Sequence, residues 1–304
     1  MPIHKWKNND DYIRVKRVYT NSGGDRVTEQ ANNTFRIQLD EEVQDVIGVE
    51  LTGFSVPNDA APSFVAERNG RPGDNKIDFY IIDLNAGPGY GTTSIITFEM
   101  PELRYQYTNY DDTQRSYTRV LSDRMQAAIT ADPYFGSILT TALSVFSDDL
   151  GRTDLQIRKG ADLYDWGFLF ASGPNANNEP YQQMGFEKLD CTTSRRLTSP
   201  YPVNLRPYRY IDIKIDEVRE LGSVGRIFIE EDNEKFYTTN ERNTARTRMI
   251  SSDRLHRLRP LTITPTLNGV IHIPSGVELD LELSIFHLSN QGTKPRWFKE
   301  RLTL

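Results

Sequence analysis

The sequence predicts a mainly β protein, an antiparallel β-sandwich of the jelly-roll type interrupted by an α+β insertion. Three observations carry that expectation. Runs with apolar residues at every second position recur towards both ends of the 304-residue chain, which is the period of a strand with one face buried. Loops, not regularly spaced helices, separate these runs, and that disfavours a parallel α/β sheet. Roughly four or five runs precede a central stretch of different character and about five follow it, enough for the eight strands of a two-sheet jelly roll.

The first run, residues 12–19 (YIRVKRVY), sets Ile13, Val15 and Val18 against Arg14, Lys16 and Arg17, and predicts a strand with a basic outer face before the loop Asn21-Ser22-Gly23-Gly24-Asp25. Phe35, Ile37 and Leu39 then alternate with polar residues, Asp40, Glu41 and Glu42 read as a turn, and the pattern continues through Val43, Val46, Ile47, Val49, Leu51 and Phe54. Gly48 marks an expected bulge and Pro57 the end of the ladder. Residues 76–84 and 94–98 are further strands around a glycine loop, and Pro101 opens the central stretch.

That stretch holds one convincing helix, with Ser116 as N-cap and the chain helical through Thr130. Tyr117, Val120, Leu121, Met125, Ala128 and Ile129 form its apolar stripe. Residues 137–146, 154–158 and 166–171 read as short strands around it, and 173–180 as a loop. The strand pattern resumes at 208–218, 223–230, 261–266, 270–273 and 277–288. In the last of these, Val277, Leu279, Leu281, Leu283 and Ile285 alternate with Glu278, Asp280, Glu282 and Ser284. The expected organisation is therefore residues 1–100 as the first half of the jelly roll, 101–200 as the α+β insertion, and 201–304 as the second half with a carboxy-terminal arm.

Composition narrows the function. Hydrophobic residues make up 37% and the net charge is −6, which fits a turn-rich protein with a polar surface and excludes bulk-charge binding of a polyanion. The single cysteine, Cys191, excludes an intramolecular disulfide and a multi-thiolate metal site, and reads as a semi-buried small residue. With no long apolar run and a polar start after Met1, the expectation is a soluble protein of a reducing compartment without an export signal or membrane span.

Candidate chemistry is sparse. Gly87-Pro88-Gly89-Tyr90-Gly91 follows a strand, but the next residues favour another strand, whereas phosphate sites need a helix N-terminus there. His4, His256, His272 and His287 lie far apart; His272 and His287 are the pair that adjacent strands would bring together, and a structural role is expected. The acidic pairs Asp10-Asp11, Asp111-Asp112, Asp148-Asp149 and Glu230-Glu231 sit mostly in turns, where aspartate bonds to its own backbone. No enzyme activity, cofactor or metal is expected.

Two features point to assembly instead. Arg242, Arg246, Arg248, Arg254, Arg257 and Arg259 face only Asp253 within one segment, and such a guanidinium cluster is a solvated loop, a contact for a neighbouring subunit's carboxylates, or a contact for genome phosphates. Lys5-Trp6-Lys7 near one end, and Arg296, Trp297, Phe298 and Arg301 near the other, combine aromatics with positive charge outside any expected core strand. Trp6, Lys7 and the latter four read as interface arms, since these residue types dominate interface hot spots, the alternative being that both ends fold back on their own domain.

The order Phe35-Ile37-Leu39, Val46-Val49-Leu51, then Phe54-Ser55-Val56-Pro57-Asn58 resembles the amino-terminal half of the penton (vertex) or minor capsid proteins of virophages, polinton-like viruses and giant DNA viruses. Tyr181-Gln182-Gln183-Met184-Gly185-Phe186, Arg209-Tyr210-Ile211-Asp212-Ile213-Lys214-Ile215 and Pro260-Leu261-Thr262-Ile263-Thr264-Pro265 resemble later segments of the family in the same order. The resemblance implies a non-enzymatic jelly-roll protomer of the virion that closes or cements the five-fold vertices of an icosahedral capsid. It further implies a homo-oligomer, a pentamer, that contacts the major capsid protein and other minor capsid proteins and is assembled in the host cytoplasm or viral factory. The alternative is a receptor- or glycan-binding β-sandwich of a spike or fibre, with Tyr105, Tyr107, Tyr110, Tyr164, Trp166 and Tyr181 as faces for sugar stacking.

Overall fold

The structure, a computed structural model, describes residues 13–21, 27–30, 34–69, 71–84, 93–107, 114–138, 143–147, 150–157, 164–192, 196–229, 237–239, 256–274 and 276–288. The chain divides into two compact units, a split unit of Met1–Ala60 with Arg209–Leu304 and an inserted unit of Ala61–Tyr208. The insertion thus begins at Ala61, not at residue 101. The strands expected at 76–84 and 94–98 in the first half of the β domain belong to it.

The split unit opens with β1 (Ile13–Asn21), β2 (Val27–Gln30) and β3 (Thr34–Pro57). The inserted unit follows with β4 (Glu67–Arg68), β5 (Arg71–Pro72), β6 (Lys76–Asp83), β7 (Thr93–Glu99), α1 (Tyr117–Ala131), α2 (Phe135–Ile138), β8 (Leu143–Ser147), β9 (Arg152–Ile157), β10 (Tyr164–Phe168) and β11 (Arg196–Pro202). The chain returns to the split unit with β12 (Tyr210–Ile215), β13 (Ser223–Phe228), β14 (Tyr237–Thr239), β15 (His256–Leu267), β16 (Ile271–His272) and β17 (Asp280–Leu288).

In the split unit the path is β1-β17-β3-β15-β12-β13, with β2 and β14 also on β3 and β16 on β15. Every pairing is antiparallel. The 24-residue β3 is the spine. Its first half lies between β2 and β15, with Ile37 opposite both Val27 and Leu261. Its second half lies between β17 and β14, with Ser55 opposite both Asp280 and Thr239. One strand serving two sets of neighbours is how a sheet turns a corner without breaking its hydrogen bonds.

The corner corrects one expectation. Asp40, Glu41 and Glu42 do not reverse the chain; they are exposed in a bulged excursion of a continuous strand. Gln38 pairs with Pro260 and Val43 with Leu258, so β3 spends more residues than β15 between those two rungs. Pro260 has no N–H to donate, and the ladder is interrupted where it sits. A second irregularity follows at Asp45, whose φ of 53° is left-handed. A third lies beside Gly48, where Gly48 pairs with Phe286 and Val46 with His287, at the place expected for a bulge. Each extra residue bends the strand and raises its twist.

The first strand also turns out differently. Val15, Arg17 and Tyr19 are exposed, Val18 is buried and Lys16 half-buried, so Val15 faces outward and the outer face is mixed rather than basic. Register decides this: Val18 sits opposite Leu283 of β17, whose Leu281, Leu283 and Ile285 point into the core.

The sheet curls until its parts touch. A Cβ at Gly225 of β13 would lie 2.4 Å from the Cβ of Leu51 on β3, although β13 and β3 share no hydrogen-bonded ladder. Gly225→Ala is therefore expected to cost about 2 kcal/mol or more through overpacking. A shift in denaturant midpoint at constant m reads it. Gly276→Ala, in open space at φ 76°, should cost only about 1 kcal/mol for its backbone conformation.

The inserted unit has two three-stranded sheets, β10-β6-β7 and β11-β9-β8. Its core is aromatic, with Tyr105, Tyr117, Phe135, Trp166, Phe168 and Phe170 essentially solvent-free. The helix expected from Ser116 to Thr130 is α1, which buries Tyr117, Leu121, Met125 and Ile129. Ser116 does occupy the N-cap position, but its hydroxyl makes no capping bond. Asp132 caps the next turn instead, its Oδ1 accepting the N–H groups of Tyr134 (3.0 Å) and Phe135 (2.9 Å). β11 was unforeseen because Pro200 and Pro202 lie inside it; it is an edge strand, where proline is tolerated.

Candidate functional site

Of the expected arms, Trp6, Lys7, Arg296, Trp297, Phe298 and Arg301 lie outside the described residues, as do Arg242, Arg246, Arg248 and Arg254 of the basic segment. Arg257 and Arg259 are described. They stand exposed on one face of β15, either side of the buried Leu258, because a strand alternates its side chains. Leu258 is opposite Val43, so both guanidiniums emerge where β3 makes its acidic excursion.

The aromatic set expected for sugar stacking is mostly structural. Tyr105, Tyr164 and Trp166 are buried, and Tyr107 and Tyr181 are half-buried against the same core. Tyr110 lies outside the described residues, as do the glycine loop 87–91, the four acidic pairs and His4. His272 and His287 do not meet across neighbouring strands: His272 is opposite Thr266, and His287 is opposite Arg14 and Val46. Cys191 is half-buried, and burial with Asp190 and Glu179 nearby pushes its thiol up to about 11, which leaves it a weak nucleophile. No cluster of histidine, cysteine and carboxylates arranged to hold a metal ion occurs among the described residues.

The structure adds a surface feature that alternation alone hides. A groove of about 420 Å³ runs over one end of β1, β17 and β3, lined by Tyr19, Asn21, Gly53, Ser55, Asp280 and Glu282, among others. Two rungs build it. Tyr19, Glu282 and Gly53 form one row across the three strands, and Asn21, Asp280 and Ser55 the next. Gly53 and Ser55 have almost no side chain, so the outer face sinks between larger neighbours. Asn21 Nδ2 donates to Asp280 Oδ1 at 2.6 Å, fixing one carboxylate at the rim. Tyr19 stands 68% exposed beside it. The surface offers two carboxylates and an aromatic ring over a shallow floor, which suits a cationic and aromatic guest.

Three buried carboxylates of the inserted unit, Asp74, Asp78 and Glu179, were not expected from the sequence. Asp74 is buried with Arg68 and Gln183 donating to its carboxylate and the Val65 N–H donating at 2.8 Å. Burial nonetheless raises its proton affinity above the ordinary range, against the pull of Arg68. Asp78 of β6 is fully buried and accepts from Thr97 Oγ1 (2.6 Å), Asn175 N (2.6 Å) and Asn175 Nδ2 (2.9 Å). Glu179 beside it accepts the Asp78 N–H at 3.1 Å through Oε1, while its buried Oε2 makes no hydrogen bond. Burial first, then the Asp78 carboxylate, pushes Glu179 up to about 9. These carboxylates accept from backbone and side-chain donors on other segments of the unit, and so hold those segments in place. Asp74 meets Gln183 across 109 residues, and Asp78 meets Asn175 across 97 and Glu179 across 101, which is why spacing did not reveal these contacts.

A scan of protein-family models and a search of curated proteins each return no match for the chain.

Proposed function

We propose that this protein is a structural component of a virion, a penton or minor capsid protein that closes or cements the vertices of an icosahedral capsid through contacts between subunits. One observation carries the reading. Three of the segments that resemble the capsid family, around Phe35-Ile37-Leu39, Ile211-Ile213-Ile215 and Leu261-Ile263, lie on β3, β12 and β15, which are hydrogen-bonded in the order β3-β15-β12. The resembling segments thus fall on neighbouring strands of one sheet, which supports the reading. The split unit is antiparallel and curled, as a jelly roll requires, and its chain is interrupted by a large insertion. The fourth likeness, ending Met184-Gly185-Phe186, is a core turn of the inserted unit, with Gly185 at φ 81° and both neighbours buried.

In this reading five copies form a closed ring by heterologous contacts. The ring meets the major capsid protein and other minor capsid proteins, and Arg257 and Arg259 belong to a basic segment that contacts a neighbouring subunit or the genome. The protein resides in the virion and is assembled in the host cytoplasm or viral factory. Light scattering of the purified chain, alone and with the major capsid protein, tests this. The expected mass is five times the 34.9 kDa protomer, reached alone or on adding the capsid protein. A monomer at every concentration that ignores the capsid protein would overturn it.

A further inference from the structure

We propose that the groove over Gly53 receives the carboxy-terminal segment 294–301 of a second copy of this chain. The second copy rests on the assembly reading above; the choice of segment rests on the groove itself.

Charge and chemistry select the guest. The rim carries the exposed Asp280 and the half-buried Glu282, with the exposed Tyr19 ring opposite Glu282. The segment Lys294-Pro295-Arg296-Trp297-Phe298-Lys299-Glu300-Arg301 carries four cations, one anion and two large aromatics. Arginine pairs with carboxylates through a planar fork and also stacks on aromatic faces. The floor of Gly53 and Ser55 leaves room for a guest ring beside Tyr19. The acidic patch is bounded one row away by the exposed Arg17, opposite Ser284, so the guest's cations are steered to the Asp280 end.

Strand direction selects the second copy. β17 runs from Asp280 in the groove to Leu288 at the far end of the same face. That is about 26 Å at roughly 3.3 Å per residue. For its own Trp297 to reach the groove, nearly every residue after Leu288 would have to double back fully extended. A neighbouring copy in a closed ring brings its segment with no such constraint, and each subunit then gives one arm and takes one.

Disulfide trapping in the full-length chain tests this, with Cys191→Ser as background. Protein carrying Asn21→Cys at the rim is mixed with separately purified protein carrying Glu300→Cys, and oxidised. The expected result is a covalent dimer formed about tenfold faster than when the partner carries His4→Cys or Arg248→Cys instead. Adding Glu282→Lys to the groove copy should cut trapping about tenfold, and Arg296→Glu in the partner should restore it. Equal or greater trapping by the His4→Cys or Arg248→Cys partner would overturn the choice of segment. A doubly substituted chain that closes on itself in preference to a partner would overturn the second copy. Trapping between chains that stay monomeric by light scattering would keep the docking and sink the ring; a ring without trapping would do the reverse.

Discussion

Glu179→Gln raises the thermal midpoint of the protein at pH 8 and leaves it nearly unchanged at pH 4. In the unfolded chain the Glu179 carboxyl releases its proton near its ordinary value of 4.5, whereas in the folded protein it keeps that proton to about 9. Between those values the folded state binds a proton that the unfolded state has lost, so stability falls as pH rises through the window. Above it Glu179 is charged and buried beside Asp78, and the loss is complete. The groups that face Glu179 explain why no cation relieves this. Asp78 supplies a second carboxylate, Asp190 a further negative charge, and the Asp78 oxygens are already taken by Thr97 and Asn175. Glutamine keeps an oxygen to accept the Asp78 N–H and stays neutral at every pH, so it brings no charge to bury. The gain at pH 8 is on the order of 2 kcal/mol or more, several degrees in midpoint for a unit of this size. Asp78→Asn should lower the midpoint at both pH values, because its amide nitrogen cannot accept from Thr97 or Asn175. Parallel pH profiles for the native and Glu179→Gln proteins would show that Glu179 does not keep its proton through this window.

How far the sequence led depends on whether the information was local. The period of Phe35-Ile37-Leu39 and of Leu281-Leu283-Ile285 is set by one strand's own faces, and all these residues are buried as expected. The stripe Tyr117-Leu121-Met125-Ile129 is likewise a property of one helix, and α1 falls within a residue of its expected ends. The failures are long-range. Asp40-Glu41-Glu42 has the composition of a hairpin turn, but whether the chain reverses is decided by which strands wait to pair with residues 43–57, and β17 is more than two hundred residues away in sequence. Val15 and Val18 have equal hydrophobicity, and only the register against Leu283 sends one inward and the other outward. The boundary at Ala61 was hidden for the same reason. Lys76–Asp83 reads as any strand, but it pairs with β7 and β10 within the insertion. The groove needs three strands in register before Gly53 and Ser55 become a floor, and the Asp78–Glu179 pair needs residues about a hundred apart to meet. Of the basic segment and the two arms expected from the sequence, only Arg257 and Arg259 fall within the described structure.

Gly167→Ala should unfold or severely destabilise the inserted unit, an outcome opposite in sign to the usual effect of replacing a strand glycine. Alanine ordinarily stabilises a strand interior by roughly 0.5–1 kcal/mol, because it restricts the unfolded chain. Here a Cβ would lie 1.6 Å from the carbonyl oxygen of Cys191 and 2.6 Å from its carbon, inside the atoms rather than against them. Neither side has room to yield. Gly167 lies between Trp166 and Phe168, both solvent-free in the core, and β10 is fixed in register on β6. Opposite it, the Cys191 N–H donates to the Phe168 carbonyl at 3.0 Å, and Tyr80 Oη donates to Thr192 Oγ1 at 2.5 Å. Asp190 accepts the N–H groups of Ala171 (2.7 Å) and Ser172 (3.1 Å). Moving the 190–192 segment aside breaks several of these bonds at once and opens the aromatic core beneath, so the expected loss is about 3 kcal/mol or more. Denaturant unfolding followed by the fluorescence of the buried Trp166, together with limited proteolysis, measures it. Asp190→Ala in the same assay should cost less, on the order of 1 kcal/mol or two, since it removes two hydrogen bonds and leaves the backbone where it is. Should Gly167→Ala prove neutral while Asp190→Ala is costly, the segment would be held by its polar contacts alone and the close backbone approach at β10 would be refuted.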